Sequence, residues 1–133
     1  MPSTAPRLLL LDSASLYFRA FYGVPPRDAA PSGIPTNAIA GFVDMIATLV
    51  SRYSPTHVAA CWDDDWRPQW RVDAIPTYKA HRVADDPGEG EEVPDELSPQ
   101  VPVIAECLKV LGIARVGAAG YEADDVIGTL VER

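Results

Sequence analysis

Arg7-Leu8-Leu9-Leu10-Leu11-Asp12-Ser13 sets four leucines between an arginine and an acid. A short, continuous apolar run of this kind predicts a central strand buried on both faces, because a half-exposed strand would alternate polar with apolar. Asp12 ends it. From Ser13 the period becomes helical, with Leu16, Phe18, Phe21 and Tyr22 apolar, Ser13 or Ser15 available to cap, and Gly23-Val24-Pro25-Pro26 as the stop. After a Pro- and Gly-punctuated loop, Thr36-Asn37 offers a cap for an amphipathic helix carrying Ile39, Phe42, Val43, Ile46, Leu49, Val50 and Tyr53. Ser54-Pro55-Thr56 closes that helix, and His57 to Trp62 reads as a second buried strand, again followed by an acid, Asp63. Strand, crossover helix and parallel strand form a right-handed unit that puts both strand C-termini on one sheet edge.

The rest of the chain extends the pattern. Residues 64–78 read as irregular, and the Gly- and Pro-rich acidic stretch at 84–96 is expected to be mobile. Val103, Ile104, Cys107, Leu108 and Leu111 share a helical face closed by Gly112, and Ile113 to Val116 is a third short strand. Gly117 and Gly120 turn the chain, and Tyr121-Glu122 opens a last helix with Val126, Ile127, Leu130 and Val131. The order is βαβαβα, an α/β fold with a mostly parallel central sheet flanked by helices. At 133 residues, 47% hydrophobic and 23% charged, one globular domain is expected. No apolar run approaches the ~20 residues of a membrane helix, and Met1 to Pro6 lacks the character of a signal peptide, so a cytoplasmic location and no membrane partner are expected. Cys61 and Cys107 are too few and too far apart for a disulfide framework or a thiolate metal site, and read as buried free thiols.

The net charge of −8 argues against a nucleic-acid partner until its distribution is considered. Asp85, Asp86, Glu89, Glu91, Glu92, Asp95 and Glu96 hold seven acids with no base among them, which leaves 12 acids against 11 bases elsewhere. Asp12, Asp63-Asp64-Asp65 and Glu122-Ala123-Asp124-Asp125 then form three tight groups. In an open parallel sheet, ligands bind beyond the strand C-termini, so Asp12, Asp63, Glu122, Asp124 and Asp125 are expected on one edge. Carboxylates crowded in this way repel one another, and hard divalent cations such as Mg²⁺ or Mn²⁺ would neutralise them. Taken singly, each group has a plainer reading: a turn or cap for Asp12, a solvated loop for Asp63 to Asp65, a helix-dipole effect for Glu122 to Asp125. Arg67, Arg71, Lys79 and Arg82, interleaved with Trp66, Trp70 and Tyr78, supply the charge and rings a single-strand surface needs. The tryptophans read equally as core.

Asp12-Ser13-Ala14-Ser15-Leu16-Tyr17-Phe18-Arg19, Tyr78-Lys79-Ala80-His81-Arg82 and Gly120-Tyr121-Glu122-Ala123-Asp124-Asp125 resemble, in order and spacing, the bacterial 5′-nuclease family. That family includes the 5′→3′ exonuclease domain of DNA polymerase I and stand-alone flap endonucleases, and the resemblance is somewhat nearer the latter. It implies a PIN-like 5′-nuclease core, with Asp12, Asp63, Glu122, Asp124 and Asp125 holding two divalent metals at the scissile phosphate. It further implies that Lys79 and Arg82 stabilise charge on that phosphate, and that Phe18, Arg19, Arg71 and Tyr78 contact the substrate. A core position is the other reading of Phe18, and surface charge the other reading of Lys79 and Arg82. The implied partner is DNA with 5′ flaps or 5′ ends, met by a monomer.

The sequence departs from that pattern in three places. The family continues past the equivalent of Arg133 with a strand bearing further aspartates and a helix-turn-helix module, so a fragment of a longer nuclease is expected. Asp63 to Arg71 is one residue longer than the family spacing, which leaves Asp64 as an alternative ligand. The arch region is acidic where the family is basic. A PIN-type ribonuclease and a non-catalytic DNA-binding module derived from the nuclease are the alternative readings.

Overall fold

A computed structural model describes residues 5–25, 33–64, 68–80 and 93–132. Its elements run β1 (Leu8–Asp12), α1 (Ser13–Gly23), α2 (Asn37–Tyr53), β2 (His57–Cys61), α3 (Gln69–Ala74), α4 (Gln100–Val110), β3 (Ala114–Val116) and α5 (Ala123–Val131). The strands form one parallel sheet in the order β1-β2-β3, with Leu8 opposite His57 and Asp12 opposite Cys61, and Ala59 opposite Ala114. The α/β class follows as expected from the sequence. Two details differ. Among the described residues β2 is central and β1 is an edge, with Leu8 51% exposed. Alternation explains why the leucine run still reads as buried: Leu9 and Leu11 pack into one apolar cluster and Leu10 into another. A continuous apolar run therefore reports two covered faces, not two paired edges. In addition, residues 64–78 are not wholly irregular, since α3 occupies six of them; it buries no side chain and so leaves no apolar period to read.

The larger cluster lies where α2 and α4 cover one side of the sheet, around Leu11, Phe42, Ile46, Ala60, Leu97, Ile104 and Leu108. The smaller one, Cys61, Ala123 and Val126 with Leu10 and Val116 against it, lies under α5. Cys107 is only partly buried. Helices α1 and α2 approach closely because Gly41 has no side chain: a Cβ there would meet Ala20 Cβ and Val24 Cγ2, both at 2.8 Å. The N-terminus of α2 is closed by a distant residue rather than by Thr36, which makes no side-chain cap. Gln100 Oε1 accepts from the Ala38 and Ile39 amides at 2.9 and 3.1 Å, and Gln100 Nε2 donates to Asn37 Oδ1 at 2.9 Å. Of the stretch expected to be mobile, 84–92 lie outside the described residues, and 93–96 lead into a turn in which the Leu97 and Ser98 amides donate to the Pro94 carbonyl. No helix among the described residues is long and apolar enough to cross a membrane.

Candidate active site

Asp12 closes β1 and caps α1, its Oδ1 accepting from the Ser15 amide at 3.4 Å, so the cap is Asp12 and not Ser13 or Ser15. Asp63 lies two residues past β2, and its Oδ1 accepts from the Ala123 amide at 2.6 Å, which ties the end of β2 to the start of α5. Burial pushes both carboxyls above their ordinary pKa. Like charge adds to this, from Asp124 and Glu122 on Asp12 and from Asp12 and Glu122 on Asp63, while Lys79 opposes it on both. Asp12, Asp63, Glu122, Asp124 and Lys79 therefore share one electrostatic neighbourhood at the C-terminal edge of the sheet. Asp64 is exposed and lies against Gly117, where a Cβ would stand 2.5 Å from Asp64 Oδ1. The geometry thus puts Asp63 rather than Asp64 beside the other acids.

Glu122 is the deepest of them at 2% exposure. It accepts from Tyr78 Oη at 2.6 Å, Arg71 bonds the same oxygen, and Lys79 Nζ bonds the other. Arg71 reaches further to Asp125 Oδ1 at 2.6 Å, and Asp125 Oδ2 accepts from the Glu122 amide at 2.9 Å. Burial lowers and the hydrogen bond to Glu122 raises the Lys79 pKa, the raising effect prevailing. Burial and the bond to Glu122 both push the Tyr78 hydroxyl up. Lys79 attains its position with a left-handed backbone, φ 52°, a conformation costly for a residue with a Cβ and held here by its surroundings.

Two other expected site residues lie on α1. Phe18 is half-buried, stacked on Tyr17 at 5.3 Å between ring centroids and packed against the larger cluster, in line with its core reading. Arg19 is exposed on α1. Arg82 lies outside the described residues. Sequence reading missed that Arg71, Tyr78 and Lys79 converge on one carboxylate; no local signal carries a contact spanning more than forty residues. It also left Trp70 undecided: the indole N–H donates to the Gly120 carbonyl at 3.1 Å, and the ring is half-exposed.

The 5′-3′ exonuclease N-terminal resolvase-like domain matches residues 7–133. The chain belongs to this family. It is 62% identical over 128 residues to a 5′-3′ exonuclease of Streptomyces coelicolor, an alignment covering 94% of this chain and 42% of the relative. A 5′-3′ exonuclease of Mycobacterium tuberculosis is 55% identical over 130 residues, 95% of this chain and 41% of the relative. DNA polymerase I of Mycobacterium bovis is 40% identical over 126 residues, which is 13% of its length. The chain thus spans about two fifths of the exonucleases it matches.

The donor chemistry of this sheet edge suits a hard divalent cation, since carboxylate oxygens crowd there, and burial first, then neighbouring negative charge, pushes the Asp12 and Asp63 carboxyls up. Among the described residues no three such side chains close on a common point; Arg71 and Lys79 engage Glu122, and Arg71 also holds Asp125.

Proposed function

We propose that the chain is the N-terminal part of a divalent-metal-dependent, structure-specific 5′-nuclease that hydrolyses phosphodiesters at DNA flaps and 5′ ends in replication and repair. The observation that carries this is the shared neighbourhood of Asp12, Asp63, Glu122 and Asp124, drawn from the ends of β1 and β2 and the start of α5, with Lys79 inside it. Asp12, Asp63 and Asp124, with Glu122 and Asp125, are the residues that would hold two divalent cations, Mg²⁺ or Mn²⁺. Such ions, when bound, supply an activated water and charge neutralisation for in-line attack at phosphorus.

The chain's own residues do the rest. Asp63, fixed by the Ala123 amide, holds the end of β2 against the start of α5, so that carboxylates from both approach a phosphate together. Lys79 and Arg71 supply positive charge beside the acids, where it offsets charge building on phosphate oxygens; Arg82 is assigned the same role. Tyr78 orients both cations through Glu122 and through its ring, with the Arg71 guanidinium carbon and Lys79 Nζ each 5.4 Å from its centroid. Arg19, exposed on α1, is a contact for substrate phosphate.

The test is cleavage of 5′-labelled flap DNA by the full-length protein in Mg²⁺, in Mn²⁺ and in chelator, with a matched RNA strand as a second substrate. Metal-dependent release of a product near the flap junction supports the reading. Cleavage of RNA alone would replace it with a PIN-type ribonuclease, and metal-independent binding without cleavage of either would replace it with a non-catalytic module.

A further inference from the structure

A base-stacking surface needs an aromatic face open to solvent, held rigidly next to the path of the phosphates. Phe18 does not offer one, being packed on Tyr17 and the core, and Tyr78 is engaged with Glu122 and Arg71. Trp70 and Tyr121 do. They are 48% and 47% exposed, with ring centroids 6.0 Å apart and planes tilted by 50°. Each is tied to the active-site edge. Trp70 is fixed by its bond to the Gly120 carbonyl and by the Arg71 guanidinium, 4.4 Å from the indole centroid, and Tyr121 immediately precedes Glu122.

The two rings line one wall of a groove of about 660 Å³ that has Val116, Val126 and Leu130 among its apolar lining and Asp124 and Asp125 at its acidic side. Ordering two large aromatic rings while leaving half of each in water costs side-chain entropy and recovers only part of their burial energy. Two oriented rings beside the acidic edge are open to a flat ligand. Their continuity with Asp124, Asp125 and Arg71 restricts what that ligand is. A neutral, flat group attached to a phosphate fits this combination: it stacks on the rings and lies on the apolar lining, and its phosphate stays clear of Asp124, Asp125 and Glu132, on the side of the Arg71 guanidinium that flanks Trp70. We propose that the Trp70–Tyr121 ledge is a nucleobase subsite, seating one unpaired base of a single-stranded segment beside the cleavage edge. This rests on the nuclease reading above and adds to it a position at which the enzyme holds a base.

The experiment uses the full-length protein in chelator, so that binding is read without cleavage, by anisotropy of a labelled single-stranded oligonucleotide. An abasic position is walked along the strand, with Trp70→Leu, Trp70→Phe and Tyr121→Leu as variants and circular dichroism as the folding control. The expected result is that one abasic position weakens binding by about five- to a hundredfold. Trp70→Leu and Tyr121→Leu are expected to lose a similar factor on the intact strand and little more on that abasic strand, while Trp70→Phe keeps most of the affinity. An unmodified protein indifferent to every abasic position overturns the subsite without the need for any variant. So does a loss in Trp70→Leu that is equal on all strands and matched by Trp70→Phe, which makes Trp70 a strut for Arg71. If the unmodified protein binds no strand in chelator and, with Mg²⁺ or Mn²⁺ restored, cleaves none, the nuclease reading itself fails, an outcome distinct from the other two.

Discussion

Two buried polar groups hold distant parts of this chain together, and they are built in opposite ways. Around Gln100 everything is neutral. Its oxygen accepts two backbone amides, its nitrogen donates to Asn37 Oδ1 and the Glu96 carbonyl, and Asn37 donates in turn to the Phe21 and Val24 carbonyls. Around Glu122 charge meets charge: one carboxylate at 2% exposure takes Arg71, Lys79 and Tyr78, with Asp125 as a second acceptor for Arg71. A satisfied amide network carries no large desolvation penalty and specifies one arrangement. A buried ionic network trades desolvation against Coulomb attraction, so its net stabilisation is small, and a partner is replaced only by a group that brings the same charge, as a cation would at Glu122 or a phosphate at Arg71 and Lys79. The first is suited to fixing a fold, and the second to chemistry.

The contrast can be broken most sharply at the charged group. Glu122→Gln in the full-length protein is expected to lower turnover by about a hundredfold or more while the far-ultraviolet dichroism is unchanged, measured as kcat on flap DNA. Gln100→Leu is expected to do the reverse. It strands two helix amides and Asn37, costing about 2–3 kcal/mol in urea unfolding with little change in kcat for the folded fraction. Equal effects of the two substitutions on turnover would erase the distinction. A smaller effect sharpens it: the stability gap between Glu122→Gln and wild type is expected to narrow by about 0.5 kcal/mol between low salt and 1 M salt, and the Gln100→Leu gap to stay constant.

The smallest effect comes from the neighbouring acids. Asp12 and Asp63 have folded pKa values raised above 3.8 by burial. For an acid shifted in this direction the native state binds more protons, so stability falls as pH rises from the ordinary value through the raised one, and the whole penalty is present at neutral pH. In chelator, Asp12→Asn and Asp63→Asn are therefore expected to melt slightly higher than wild type at pH 7, with the difference vanishing toward pH 3.8. A lower melting point for both at pH 7 would mean that the Ser15 and Ala123 hydrogen bonds outweigh the burial penalty.

What the sequence disclosed and what it hid follow the same division. The leucine run, the apolar repeat from Ile39 to Tyr53 and the acids after two strands are local patterns, and their periods announced the α/β order and the shared edge. Helix α3 was hidden because six residues with no buried side chain make no period. The convergence of Arg71, Tyr78 and Lys79 on Glu122 was hidden because it depends on where α3 and the following turn lie relative to α5, which only tertiary packing decides. Phe18 illustrates the opposite case: its spacing fits a helix face equally well whether that face meets substrate or core, and the structure leaves it half-buried with its ring stacked on Tyr17.

One of these contacts bears on how the protein is made. The start of α2 at Asn37 emerges from the ribosome more than sixty residues before Gln100, the side chain that closes it. Until then the Ala38 and Ile39 amides must bond to water, and the helix frays at the end that abuts α1. Synthesis therefore passes through a stage in which β1, α1, α2 and β2 are all present and yet not locked, and the arrival of α4 converts that pliable assembly into a committed one.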